Sequence, residues 1–114
     1  MIVGVVEHDI VVGPDTLAEL DACPHDWCAF PYSYINGYHH GLGCTKFSAA
    51  LIGRNPAAFR QVGTMSDQNH PERHWCRLDG WLDIVLRRNG EAIHSHWPLV
   101  EHRTDTAHSS HGCV

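Results

Sequence analysis

The chain has 114 residues, of which 43% are hydrophobic, and 8 basic against 13 acidic residues give a formal net charge of −5. This length predicts a single domain, residues 1–114, with a modest hydrophobic core. The acidic balance argues against nucleic acid as a partner, because a phosphate backbone attracts basic surfaces. The sequence also carries 11 His and 5 Cys, a density of nitrogen and sulfur ligands that favours a metal site.

Two short runs of β-branched and apolar residues, 2–6 and 10–12, begin the chain and predict an N-terminal strand pair. The opening MIVGVV has no basic leader and no cleavage site, and it is too short to cross a bilayer. We therefore expect neither a signal peptide nor a membrane span. An odd number of cysteines without an export signal predicts a cytoplasmic or otherwise reducing setting.

Short helices are predicted in the middle of the chain. The stretch PDTLAELDA predicts the first, because Pro14 suits a first helical turn and Leu17 and Leu20 recur at helical spacing. Residues 24–43 are rich in proline, glycine and aromatic side chains, which predicts an irregular loop. Residues 45–53 and 56–62 then predict two more short helices.

A C-terminal β-hairpin is predicted over residues 81–97. The segments WLDIVLRR and EAIHSHW flank Asn89-Gly90, which is the pair preferred in a two-residue type I′ turn. This register places Leu82, Ile84 and Leu86 on the core face of the hairpin. The predicted fold class is therefore a small α+β domain with an N-terminal strand pair, short central helices and this hairpin closing a mostly antiparallel sheet.

A zinc-binding loop is predicted over residues 23–44 from the spacing Cys-x4-Cys-x11-His-x3-Cys. Thiolates and a neutral imidazole are the ligands that zinc prefers, and four of them close a tetrahedral structural site. The predicted ligands are Cys23, Cys28, His40 and Cys44. His39 is an alternative to His40, and Cys76 is an alternative to any one of the thiolates.

The opposite face of the predicted hairpin indicates a second metal site. Alternate strand residues point the same way, so His94 and His96 would share a face with Asp83, which the register places opposite His96. Two histidines and one carboxylate are typical of open catalytic metal sites, and Glu101 is a second candidate carboxylate. The polar, His-rich tail, residues 104–114, is a weaker candidate that contains His108, His111 and Cys113.

Three segments between residues 26 and 96, DWCAFPYSYI, ALIGRNPAAFRQVG and WLDIVLRRNGEAIHSH, follow an order that resembles the CHAP-type cysteine amidases, which cleave peptidoglycan amides. The resemblance implies that Cys28 is a nucleophile at the start of a helix and that His94 is its base. Pro31 stands where that helix should continue. Asp105 is the candidate for orienting the histidine.

The leading functional hypothesis is a zinc-stabilised interaction or assembly domain without catalytic activity. The predicted cofactor is zinc, and the predicted partner is another protein or a second copy of this chain, bound through the aromatic residues of the 23–44 loop. Neither nucleic acid nor a membrane is expected as a partner. The alternatives are the Cys28/His94 amidase or peptidase and the two-His-one-carboxylate site.

Overall fold

The computed structural model describes residues 2–7, 10–34, 37–39, 41–64 and 77–102. The helices in this part of the chain are α1 (Pro14–Ala22), α2 (Ala49–Arg54), α3 (Pro56–Val62) and α4 (Leu78–Arg88). The strands are β1 (Ile2–Val6), β2 (Ile10–Val11), β3 (Trp27–Ala29), β4 (Tyr32–Tyr34), β5 (Gly37–His39), β6 (Cys44–Ser48), β7 (His94–Ser95) and β8 (Glu101–His102). None of these helices combines the length and the apolar character that a bilayer crossing requires.

The predicted α+β class is confirmed, with a mixed sheet at its centre. Four strands form this sheet in the order β1-β6-β3-β7. Strand β6 pairs antiparallel with both β1 and β3, whereas β7 runs parallel to β3. Two smaller antiparallel pairs, β2 with β8 and β4 with β5, lie beside it. The parallel β3–β7 contact brings the C-terminal part of the chain to one edge of the sheet, next to β3.

The two faces of the sheet bury different cores, because successive strand residues point to opposite sides. One core packs the sheet against α2, α3 and α4 and contains Trp27, Phe47, Leu51, Ala58, Leu82 and Leu86. The other packs the sheet against α1 and contains Ile10, Leu20, Cys23, Cys28, Phe30, Tyr32, Cys44 and Val100. The second core therefore holds three cysteines.

Three of the local predictions for the first half of the chain are wrong. The N-terminal strand pair is absent from the described residues, because β1 pairs with β6 and β2 pairs with β8. Residues 24–43 contain three short strands rather than only an irregular loop, and residues 44–48 form a strand where a helix was predicted. Except in the β4–β5 pair, the pairing partner is distant in sequence, so a local pattern does not identify it.

The predicted hairpin over residues 81–97 is also wrong, because helix α4 occupies its first half. Leu82 and Leu86, one helical turn apart, are buried, while Ile84 is exposed. Gly90 has a φ of 88°, and the Glu91 N–H donates to the Leu86 carbonyl, as in a Schellman helix end. An Asn-Gly pair can adopt left-handed backbone both in a hairpin turn and after a helix. The pair is therefore consistent with either structure.

Helices α1 and α3 agree with the sequence prediction. Each begins at a proline, Pro14 and Pro56, whose fixed φ suits the first helical turn and whose missing N–H would be unpaired there in any case. Helix α2 begins later than predicted, at a cap in which the Ser48 hydroxyl accepts a hydrogen bond from the Leu51 N–H at 3.1 Å.

A charged network centred on Arg54 ties three parts of the fold together. The Arg54 guanidinium donates to Asp26 at 2.9 Å and to both carboxylate oxygens of Glu91 at 2.8 and 3.0 Å. Glu91 accepts a further hydrogen bond from Asn55 at 2.8 Å. The network joins α2, the start of β3 and the segment after α4. Hydrogen bonds from Arg54 and then Asn55 hold the pKa of Glu91 below its ordinary value.

We expect this network to make the protein sensitive to acid. Because the pKa of Glu91 is lower in the folded state than in the unfolded chain, its contribution is present above the unfolded value of about 4.3 and is lost as pH falls through the folded value. Glu91→Gln should flatten this acid-dependent loss of stability. Urea unfolding at a series of pH values measures the slope. Glu101→Gln, at an exposed position, is the matched control and should keep the wild-type slope.

Candidate metal centre

Two cysteines from adjacent elements meet on the α1 side of the sheet. Cys23 is the residue at which α1 ends, and Cys28 lies within β3, wholly buried. The two are joined by a disulfide with a Cα–Cα distance of 6.8 Å. A helix end followed by a short turn into a central strand therefore brings the two sulfurs together.

His96 reaches the same place from the far end of the chain. The parallel register pairs Cys28 with His94, and the His96 N–H donates to the Ala29 carbonyl at 2.8 Å. The His96 ring stacks on Phe30 with the ring centroids 5.0 Å apart. As a result, one ligand atom each from Cys23, Cys28 and His96 lie within 4.8 Å of one another, a group with the composition of a metal site.

The two ring nitrogens of His96 have different environments. Nδ1 lies 3.3 Å from a carboxylate oxygen of Glu19 on α1, and the histidine side chain is only 9% exposed. Since a carboxylate only accepts, Nδ1 is the donor, and the lone pair of the neutral ring is on Nε2. Nε2 is the one buried side-chain nitrogen or oxygen in the described part of the chain without a hydrogen-bond partner.

This arrangement matches the environment of metal-binding histidines. Such residues usually donate one ring N–H to a carboxylate, which fixes the tautomer and turns the other nitrogen toward the metal. Burying a polar atom without a partner is unfavourable, so the unpaired Nε2 of a histidine that lies beside two cysteines favours the binding of a ligand. Glu19 thus orients His96, and Nε2 is the atom available for coordination.

A buried lysine completes the surroundings of the cysteine pair. Lys46 on β6 lies opposite Cys28 in the antiparallel register and is 4% exposed. Its Nζ donates to the carbonyls of Cys23 and Asp21 at the end of α1. The lysine thus pairs with carbonyls that the end of the helix leaves free.

The first predicted ligand set is only partly brought together. Cys23 and Cys28 meet as predicted, but as a disulfide, and His40 and the alternative Cys76 lie outside the described residues. The backbone of His39 lies in β5. Cys44 lies in the same buried cluster as the cysteine pair but outside the three-residue group, and burial raises the pKa of its thiol.

The second predicted set does not share a face, because its hairpin does not exist. Asp83 lies on α4, where it accepts hydrogen bonds from Arg87 at 3.0 and 3.1 Å. Helix α4 packs on one side of the sheet, whereas His96 stacks on Phe30, which belongs to the core on the other side. Glu101 is exposed and pairs with β2. The tail candidates lie outside the described residues.

The residues implied by the amidase resemblance occupy different elements from those expected. Cys28 is inside a strand, not at the start of a helix, and its sulfur is in the disulfide. His94 neighbours Cys28 in the parallel register but is exposed and stacks on His25 with the ring centroids 4.1 Å apart. Loss of hydration, then the charges of His25 and His96, lower the pKa of His94. Asp105 lies outside the described residues.

The sequence patterns identify three members of this site, Cys23, Cys28 and His96, but do not place the histidine with the two cysteines. The Cys-x4-Cys spacing found the sulfur pair, and the His-x-His pattern found His96 but assigned it to another metal. Nothing local marked Glu19 or Lys46, because both act through contacts with residues far away in sequence.

The structure is a small α+β domain with a group of two cysteines and one histidine whose ligand atoms lie close enough to share a metal ion. Comparison of the chain with protein-family models, with curated proteins and with solved structures finds no match. The chemistry of the chain's own residues is therefore the basis for assigning a function.

Proposed function

We propose that this protein is a small zinc-binding domain in which the metal has a structural role and the domain serves to bind another protein. In the dithiol state, Cys23, Cys28 and His96 are the zinc ligands, and Glu19 orients the histidine. The observation that carries the proposal is His96, whose Nε2 is buried without a partner and whose ring has a nitrogen within 4.8 Å of both cysteine sulfurs.

The origin of the three ligands supports a structural role for the metal. They come from the end of α1, from the centre of β3 and from the segment after β7. A metal that binds all three holds together parts of the chain that are distant in sequence, and the free energy of binding then adds to folding stability. Three protein ligands leave one tetrahedral position for water or for a donor from a partner protein.

Apolar side chains next to the site support a protein partner. Trp97 and Leu99, which follow the ligand His96, are 53% and 41% exposed. Exposed aromatic residues are enriched where proteins bind one another. The amidase alternative is less well supported, because a wholly buried Cys28 is out of reach of a peptide substrate.

Metal content of the reduced protein tests this proposal. We expect about one zinc per chain after purification under reducing conditions. Cys28→Ala and His96→Ala should each lower zinc affinity by at least about 100-fold, since each removes a direct ligand. Elemental analysis and competition with a chromogenic chelator measure both quantities.

Cys44→Ala provides the matched control, because it removes a buried cysteine outside the three-residue group. It should bind zinc as the wild type does. If zinc is instead lost in Cys44→Ala and retained in His96→Ala, the ligands are those predicted from the 23–44 spacing. A reduced protein without zinc would contradict both ligand sets.

A further inference from the structure

We propose that the metal centre is a redox switch, in which Cys23 and Cys28 alternate between a zinc-bound dithiolate and a disulfide. An oxidant of the peroxide class then expels the metal. This inference rests on the proposed zinc site and states how metal binding at that site is regulated. It follows from one observation: the two sulfurs that approach His96 closely enough to share a metal ion are also the two that are bonded to each other.

The two states exclude each other chemically. Zinc binds cysteine as the thiolate, and in a disulfide neither sulfur carries that charge. Oxidation therefore removes two of the three ligands at once and leaves His96 alone. A single imidazole cannot retain zinc in competition with a chelator, so loss of the metal should accompany the oxidation.

The backbone can serve both states without refolding. A disulfide is compatible with the Cα–Cα distance of 6.8 Å, which lies at the long end of its usual range. Two Zn–S bonds of about 2.3 Å at a tetrahedral angle place the sulfurs about 3.8 Å apart. The same Cα–Cα distance allows that separation by rotation of the two side chains. Cys23 is well placed for this rotation, because it lies just where α1 ends.

The surroundings favour exchange between the two states. In the disulfide state Nε2 of His96 has no partner, which is an unfavourable condition that metal binding relieves. Thiolates are both the zinc ligands and the species that peroxides oxidise. Metal binding and oxidation therefore use the same form of the two cysteines.

The oxidation balances with hydrogen peroxide as the electron acceptor. One thiolate attacks a peroxide oxygen, the O–O bond breaks, and a sulfenic acid and one water form after a proton is taken up. The second thiolate attacks the sulfenic sulfur, the S–S bond forms, and hydroxide leaves as a second water after protonation. Two electrons pass from the sulfurs to the peroxide. Zinc keeps its charge throughout and leaves as Zn²⁺.

The test uses the full 114-residue chain, reduced and loaded with zinc. Hydrogen peroxide is added in steps, released zinc is followed with a chromogenic chelator, and peptide mass mapping follows the cysteines. We expect about one zinc released per peroxide consumed, with a Cys23–Cys28 linkage appearing in step. The oxidised protein should bind zinc at least about 100-fold more weakly. A dithiol reductant should restore binding.

Cys44→Ala serves as the control and should release zinc with the same stoichiometry, because Cys44 takes no part in the exchange. Failure of the reduced protein to bind zinc would overturn the proposed function and this inference together. If the reduced protein binds zinc, three results would overturn the inference alone. They are retention of zinc after peroxide treatment, equal zinc affinity in both states, and zinc loss through sulfinic acids without a Cys23–Cys28 disulfide.

Discussion

Removing zinc from the reduced, metal-loaded protein should lower its unfolding temperature by about 10–25 °C. A ligand that binds only the folded state stabilises it in proportion to the logarithm of its saturation, or about 4 kcal/mol at a free concentration 1,000 times Kd. In a domain of this size each kcal/mol corresponds to roughly 3–6 °C. Circular dichroism melts with and without a high-affinity chelator measure the shift.

The disulfide form is the internal control for this measurement. Its two sulfurs are bonded to each other, so the chelator should leave its unfolding temperature unchanged. The Cys28→Ala variant, reduced, should also be insensitive to the chelator. An equal shift in the disulfide form, or no shift in the reduced wild type, would contradict a structural metal held by this cysteine pair.

Leu86→Ala should destabilise the protein by about 2–5 kcal/mol. Leu86 is 0% exposed on α4, in the core that packs this helix against Trp27 and Phe47. Truncating it removes apolar contacts and leaves a cavity that the surrounding side chains fill only in part. Urea unfolding monitored by tryptophan fluorescence measures the difference in the free energy of unfolding.

Ile84→Ala is the matched variant that distinguishes a helix from a hairpin over these residues. Ile84 is 51% exposed on α4, so its truncation should change stability by no more than about 0.5 kcal/mol. In the predicted hairpin Ile84 and Leu86 would share one buried face, since they are two residues apart. Similar losses from the two variants would therefore contradict the helix.

Two helices could be recognised from the sequence because their signals are local. In both α1 and α3 a proline at the first turn sets the start of the helix, whatever the rest of the chain does. The α+β class follows similarly from the alternation of such segments with β-branched runs. The strands were harder to predict from the sequence, because β6 is a strand only through its pairing with β1 and β3.

Residues 82–90 show why a local pattern can be ambiguous. Leu82, Ile84 and Leu86 alternate as in a strand, yet Leu82 and Leu86 are also one helical turn apart. The Asn89-Gly90 pair fits both a type I′ turn and the end of a helix. Packing in the core favours the helix over the hairpin. Helix α4 buries Leu82 and Leu86 against Trp27 and Phe47, while its acidic and basic residues remain near solvent.

The sequence by itself determined the cysteine half of the metal centre. Cys23 and Cys28 are close along the chain, and the helix end and turn between them leave the two sulfurs little room to separate. Only the tertiary structure decided that His96 joins them, because β7 reaches Cys28 by pairing in parallel with β3. Parallel neighbours need a long connection between them, so their pairing depends on how the whole chain packs and not on the spacing of nearby residues.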